Sequence, residues 1–398
     1  NKDINLLYIN DIEGKNKTFK NNNIILKNIK ENINLDYNNY IYNASDTILN
    51  TILFRKLNFF NKYLFLIIYN FNKLFKYNSN NMIKVLYSFI IIIDYMFNEY
   101  LEVITGDGQK ITLSSHFSEN SKKSILINHG MAEHQRRYKE FINFLNLNGI
   151  NVFIYDHRGH GNRITASEPI GVFAKQNGWN LVVNDLNDVS NFLVNKFSDH
   201  TFSVFGHSMG SYITLDSIQS GNPIKNIILS GSSVPGGSIL MFQNLFLKLS
   251  NLLKGKENYS QTMHELVFGG FNKSIKNSRT PSDWLSYSVS SVDDYIADPL
   301  CGFVVSNSLW SDLLIGFNRI FDKNRFHLYQ SNLDVLILSG KEDAAGGFGS
   351  GPKKLHKILS SKTSNCILKL YDDMRHEILN EPSRNIVYDD VLHYLINK

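Results

Sequence analysis

From about residue 97 onward, short apolar blocks alternate with stretches of helical spacing. SILIN at Ser124–Asn128 and Val152–Tyr155, Phe202–Phe205, Ile224–Ser230, Val335–Ser339 and Cys366–Tyr371 each read as a strand. Their uninterrupted apolar character predicts strands buried on both faces. Between them, Tyr138–Asn148, Trp179–Phe197, Met209–Gln219 and Arg384–Ile396 repeat apolar residues every three or four positions and predict helices. This alternation predicts an α/β fold, a mainly parallel central sheet with helices on both faces. Ahead of it, Tyr100–Ile104 and Gln109–His116 flank Gly106-Asp107-Gly108, which predicts an antiparallel hairpin at one edge. The rhythm breaks between about residues 233 and 332, a predicted helical cap insertion that opens with Val234-Pro235-Gly236-Gly237. Within it, Ile239–Leu253 places Ile239, Phe242, Phe246, Leu249 and Leu253 on one helical face.

Residues 1–95 have a different composition. Gly14 is the only glycine before Gly106, and every proline and histidine lies after residue 115. Asn, Lys, Ile, Leu, Phe and Tyr dominate, and all can be encoded by AT-rich codons. The stretch reads as a low-complexity extension or translated upstream sequence, with Met96 a plausible start. Its apolar runs, Leu64–Ile68 and Val85–Ile93, fall short of the about 20 residues that a spanning helix needs. The remainder, 96–398, reads as one catalytic domain with its cap. A net charge of +5 without a clustered basic face argues against nucleic-acid binding. Two cysteines, Cys301 and Cys366, exclude a disulfide framework and suit a reducing, cytoplasmic compartment.

The sharpest chemical signal is Gly206-His207-Ser208-Met209-Gly210, a G-x-S-x-G pattern with a predicted strand before it and a predicted helix after it. The flanking glycines permit a tight strand-to-helix reversal that lifts the Ser208 hydroxyl above the sheet. A serine is a weak nucleophile without a base, and the partners are expected after later strands, acid before histidine. His376 follows Cys366–Tyr371 and is the expected base; His356 and His393 fall on predicted helices. Asp343 follows Val335–Ser339 and is the expected acid, with Glu342, Asp372 and Asp373 as competitors. An oxyanion hole requires two backbone N–H donors. Met209 is expected to supply one and Met131 the other, with Gly130 the runner-up. His129, Gly130, Asp156, His157 and Arg158 read as support for the site, with Glu133 and His134 candidates to join them. No His/Asp/Glu set has metal-ligand spacing, and no cofactor is implied. The glycine-rich Gly346–Gly351 segment lacks a phosphate-loop lysine and reads as a flexible loop.

These residues sit in blocks that resemble the α/β-hydrolase superfamily, and within it the monoacylglycerol lipase and lysophospholipase-like group, which overlaps the serine aminopeptidases. The blocks are NHGMAEHQRRY at Asn128–Tyr138, YDHRGHG at Tyr155–Gly161, FGHSMGS at Phe205–Ser211, LSGKEDAAGG at Leu338–Gly347 and LYDDMRHEILNE at Leu370–Glu381. Weaker similarity lies in Asp283–Ser286 and Tyr295–Phe303. The resemblance implies Ser208 as nucleophile, Asp343 as acid, His376 as base, and Met131 and Met209 as oxyanion donors. Ala132 departs from the glycine that many relatives carry there. The implied activity is a cofactor-independent hydrolysis of a lipid monoester, with a greasy cap, walled by Trp284, Tyr287, Tyr295, Trp310 and Phe317, able to touch a membrane surface transiently. A serine aminopeptidase and a catalytically inactive binding protein are the alternatives.

Overall fold

The computed structural model describes residues 99–398, apart from 167, 237–244, 249 and 254. The expectations for residues 1–95, and for Ile239, Phe242 and Leu249 of the cap, fall outside the described residues. Eight strands form one sheet: β1 (Glu99–Ile104), β2 (Lys110–His116), β3 (Lys123–Asn128), β4 (Asn151–Ile154), β5 (Thr201–His207), β6 (Asn226–Ser230), β7 (Asp334–Gly340) and β8 (Asn365–Tyr371). Their spatial order is β1-β2-β4-β3-β5-β6-β7-β8. Only β2 runs against the rest, so the predicted hairpin makes the antiparallel edge.

The continuous apolar runs are explained by burial on both sides. On β3, Ile125 and Ile127 enter one core cluster while Leu126 between them enters the other. α1 (Lys139–Leu147) and α7 (Arg384–Ile396) cover the first face through Phe141, Leu145, Val387 and Val391. The opposite face is covered by α2 (Gly178–Lys196), α3 (Met209–Gln219), α5 (Asn307–Ile320) and α6 (Ser350–Ser360). Asp216 on α3 ties that layer together. It accepts from Trp179 Nε1 of α2 at 2.6 Å and pairs with Arg319 of α5 and with Arg325.

The cap lies between β6 and β7 and includes α4 (Val289–Ala297) and α5. Its first helix buries only part of the apolar face picked out by spacing. Residues 245–248 and 250–253 are helical; of the face picked out by spacing, Phe246 packs against the core while Leu253 is 79% exposed, and Leu247 beside it is buried. With Leu or Phe at most positions, the segment has no unique apolar stripe, so tertiary contact chooses the face. Among the described residues, no helix is long and apolar enough to cross a membrane.

Candidate active site

β5 feeds directly into α3 through Ser208, which adopts φ 49° and ψ −118°. A non-glycine residue with positive φ is strained, and the surroundings hold it there. The Ser208 N–H donates to the Ser230 carbonyl at 2.8 Å, and the Ser208 carbonyl accepts the Ser211 N–H at 2.9 Å. The flanking glycines are required by space. A Cβ on Gly210 would lie 2.1 Å from the Asn128 carbonyl oxygen, and one on Gly206 would lie 2.7 Å from the Ser211 Cα. Backbone atoms cannot rotate away. Gly210→Ala is therefore expected to cost about 3 kcal/mol or more, seen as a thermal midpoint lowered by roughly 6–12 °C. A midpoint equal to wild type would show that the elbow has room.

His376 and Asp343 meet behind this turn. His376 Nδ1 lies 3.0 Å from each Asp343 carboxylate oxygen. With two acceptors facing it, Nδ1 carries the proton, so the neutral ring has its lone pair on Nε2. Both residues are buried. Burial pushes the Asp343 carboxyl up, but the His376 imidazole and N–H groups pull it below its ordinary range. Burial pushes His376 down, and the Asp343 charge more than reverses this, leaving it raised. The imidazole also packs on the elbow: its ring lies 5.0 Å from that of His207, the residue before Ser208. Its Cε1 would be 2.9 Å from a Cβ on Gly231, so the glycine after β6 makes space for the ring. Among the described residues, no hydrogen bond joins Ser208 Oγ to His376.

Among the competing residues, Asp373 is exposed, and the others have partners elsewhere. Glu342 accepts from Tyr287 Oη, and Asp372 pairs with Lys341. His356 Nε2 faces the Cys366 carbonyl, and His393 faces Asn397. Gly346–Gly351 is not a loose loop, which corrects the sequence expectation. A Cβ on Gly346 would lie 2.9 Å from Asp343 Oδ2, its N–H supports that carboxylate, and α6 begins at Ser350. Glycine richness here marks close packing around a buried acid rather than flexibility.

The loop after β3 faces the N-terminus of α3. Neither the Met131 N–H nor the Met209 N–H has a hydrogen-bond partner among the described residues. The Gly130 N–H is taken, because it donates to Glu133 Oε1 at 2.5 Å. The runner-up donor is thus removed. Ala132 adopts φ 53°, so the position where glycine would be comfortable is held by alanine in the left-handed region. His129 Nδ1 donates to the Gly130 carbonyl at 2.8 Å, and its Nε2 accepts the His157 N–H at 3.0 Å. His157 Nε2 donates to the His129 carbonyl at 3.0 Å. Acceptance at Nε2 requires a neutral His129 ring, and burial pushes His129 and His160 down to about 3 and His157 well below its ordinary value. Asp156 accepts the N–H groups of Gln135 and Asn162, at 2.9 and 2.8 Å, and so joins two loops. Arg158 braces a different place, pairing with Asp185 of α2 and Asp107 of the hairpin turn.

Glu133 and His134 do not join the Asp156 set. Glu133 lies with Tyr138, Arg137 and Glu377 in a buried group. Burial pushes its carboxyl up to about 7, assisted by the charge of Glu377. Burial also pushes Glu377 up, but Arg137, bonded to it at 2.5 Å, leaves it below its ordinary range. His134 Nε2 lies 2.8 Å from Asp298, with Cys301 close by; the three potential ligand atoms lie within 4.8 Å of one another. His134 Nδ1 accepts the Arg136 N–H, so Nε2 carries the proton and donates to Asp298. That tautomer makes the group a hydrogen-bonded tie between the loop and the cap. The sequence spacing concealed both clusters because each is completed from a distant segment, by Glu377 in one and by Asp298 and Cys301 in the other.

Of the aromatic residues expected to wall a pocket, Trp284 reaches the site, with its ring 5.0 Å from that of His376. Phe268 stacks on Trp284 at 5.5 Å and approaches Trp310 at 5.9 Å. Tyr295 packs on Arg137, Tyr287 on Arg375 and Phe317 on Tyr212.

Comparison with known proteins agrees with this architecture. The chain is 23% identical over 274 residues to the monoacylglycerol lipase of Mycolicibacterium smegmatis, covering 69% of this chain and 88% of that one. It is 25% identical over 297 residues to the monoglyceride lipase of Rattus norvegicus, covering 73% and 87%. The solved structure of a thermostable carboxyl esterase from Bacillus coagulans superposes with a TM-score of 0.69 at 22% identity, covering 75% of this chain and 98% of that one. The pattern of the Hydrolase_4 family, described as serine aminopeptidase S33, matches residues 119–383. With the sheet order, the elbow and a family match over most of its length, the chain belongs to that family and is an α/β-hydrolase.

Proposed function

We propose that the protein is a serine ester hydrolase that cleaves monoacyl lipids, monoacylglycerols or lysophospholipids, through an acyl-enzyme. The observation that carries this reading is the His376–Asp343 pair, with Nδ1 protonated, behind a strained serine flanked by two unclaimed N–H groups. In the proposed cycle, His376 Nε2 takes the Ser208 proton as Oγ bonds to the ester carbonyl carbon. The carbonyl oxygen becomes an oxyanion, held by the Met131 and Met209 N–H groups. Its collapse expels the alcohol, protonated by His376, and leaves an acyl ester on Ser208. Water then attacks, its proton passes to Nε2, and the fatty acid leaves as Ser208 regains its proton. In this cycle the Ser208–His376 hydrogen bond forms when substrate docks, since catalytic hydrogen bonds are often long or unaligned in unliganded sites.

The cap favours an apolar substrate. Trp284 and Phe268 present aromatic surface beside His376, and Leu245, Leu252 and Leu253 stand exposed, which supports contact with a lipid surface. An aminopeptidase needs a carboxylate free to hold an amine. Of the cap acids, Asp283 and Asp293 are bonded around Arg279, Asp298 is bonded to His134, and Glu257, Glu265 and Asp294 are exposed. The test is turnover of long-chain monoacylglycerol, lysophospholipid and an amino-acid amide by the full chain. Preferential amide cleavage would overturn the lipid reading.

The raised His376 sets a pH signature. The base works only when neutral, so kcat/KM is expected to rise with pH along a limb centred above 6.5. Asp343→Asn is expected to lower kcat by about 10⁴-fold and to move that limb to lower pH, because the largest charge opposing burial is removed and only the weaker pull of Glu377 and Glu133 remains. An unmoved limb would separate Asp343 from the base. For stability, the sign is opposite: the His376–Asp343 contribution is complete below 6.5 and is lost as pH rises through the folded value.

A further inference from the structure

We propose that Glu133 is a positioning residue of the oxyanion hole: its carboxylate withdraws the Gly130 N–H and fixes the loop so that the Met131 N–H is the one presented. This inference rests on the serine-hydrolase reading above. The Glu133 side chain folds back over its own loop, so that Oε1 accepts the Gly130 N–H and, at 2.8 Å, the Tyr138 hydroxyl. The contact is close, since a Cβ on Gly130 would lie 2.6 Å from that oxygen. The ring it closes, from residue 130 to residue 133, spans Ala132 with its φ of 53°. Alanine does not hold that conformation by preference. Its carbonyl also accepts the Gly302 N–H from the cap at 2.9 Å, so the loop is fastened on both sides of Met131. Without an acceptor at position 133, Ala132 is free to relax to negative φ, and the peptide planes beside Met131 turn with it. The Gly130 N–H would also be left buried without a partner. Arg137 and Glu377 stand behind Glu133 and complete the buried group.

The experiment compares Glu133→Ala, Glu133→Leu and Glu133→Gln in the full chain, with wild type and Ser208→Ala as controls. Long-chain monoester turnover, fluorophosphonate labelling and the thermal midpoint are measured for each. Glu133→Ala is expected to lower kcat about 10²-fold with KM unchanged, the size of effect a small misplacement produces. Glu133→Leu fills the same space without an acceptor and serves if the alanine variant does not fold. Glu133→Gln keeps an amide oxygen for the Gly130 N–H and is expected to stay within about tenfold of wild type. The proposal is overturned if the alanine and leucine variants turn over like wild type, or if glutamine is as impaired as leucine. If wild type is neither labelled nor active on esters, the serine-hydrolase reading itself falls. An active wild type, a dead Ser208→Ala and an indifferent Glu133→Leu remove only the positioning role.

Discussion

Ser208→Ala is expected to lower kcat for ester hydrolysis by about 10⁶-fold, the cost of removing a serine nucleophile whose general base remains. Fluorophosphonate labelling should disappear with it. The fold should survive, because the hydrogen bonds that hold residue 208 use its backbone N–H and carbonyl. His376→Ala should be nearly as damaging, and the double variant little worse than either. Residues that act as a unit share one loss, and the residue of catalysis comes from the oxyanion donors and substrate binding. Turnover by Ser208→Ala above about one per cent of wild type would place the nucleophile elsewhere, since no serine-dependent mechanism tolerates that loss so lightly.

Acid unfolding is expected to begin near pH 6, well above the range in which most carboxylates protonate. His129, His160 and His207 are pushed down to about 3 by burial, and His157 is also pushed well below its ordinary value. Unfolded, each takes a proton near 6.5, whereas in the native state it stays neutral. The unfolded chain therefore binds more protons, and stability falls as pH drops through this window. Each histidine contributes about 1.4 kcal/mol per pH unit. Glu133, Asp312 and Glu381, whose carboxyls burial pushes up, oppose them, because the native state gains those protons first. The four histidines outnumber these carboxyls, so the net effect is a loss of stability as pH falls below 6.5. The acid midpoint by circular dichroism should lie above about pH 4, higher than protonation of ordinary carboxylates alone would place it. His160→Phe should move it lower, since the ring sits between Phe173 and Phe303 and its Nε2 has no partner. A midpoint below pH 3 would mean that these imidazoles are not held neutral.

The serine and histidine were legible because a strand, a tight turn and a helix leave local marks in composition and spacing. Every strand predicted from an apolar run appears within two residues of its place, and Met209–Gln219 and Arg384–Ile396 match at both ends. Less was legible where packing, not periodicity, decides. The cap segment around Leu247 is apolar on several sides, so its buried face could not be read from spacing. The Gly346–Gly351 segment was misread because glycine looks the same in a loose loop and in backbone pressed against a carboxylate.

What the chain's order of residues determined by itself is the sheet with its edge hairpin, the elbow at Ser208, and the succession of acid and histidine after later strands. Burial and turn geometry act over a few neighbouring positions, and those marks persist in the linear string. Among acids the sequence ranked but left in competition, tertiary structure places Asp343, rather than Glu342 or Asp372, against His376. It also decided that Glu133 occupies the Gly130 N–H and that four histidines are sealed as neutral rings. These outcomes depend on groups from distant segments meeting in a water-poor interior, where each donor must find an acceptor and each charge a partner.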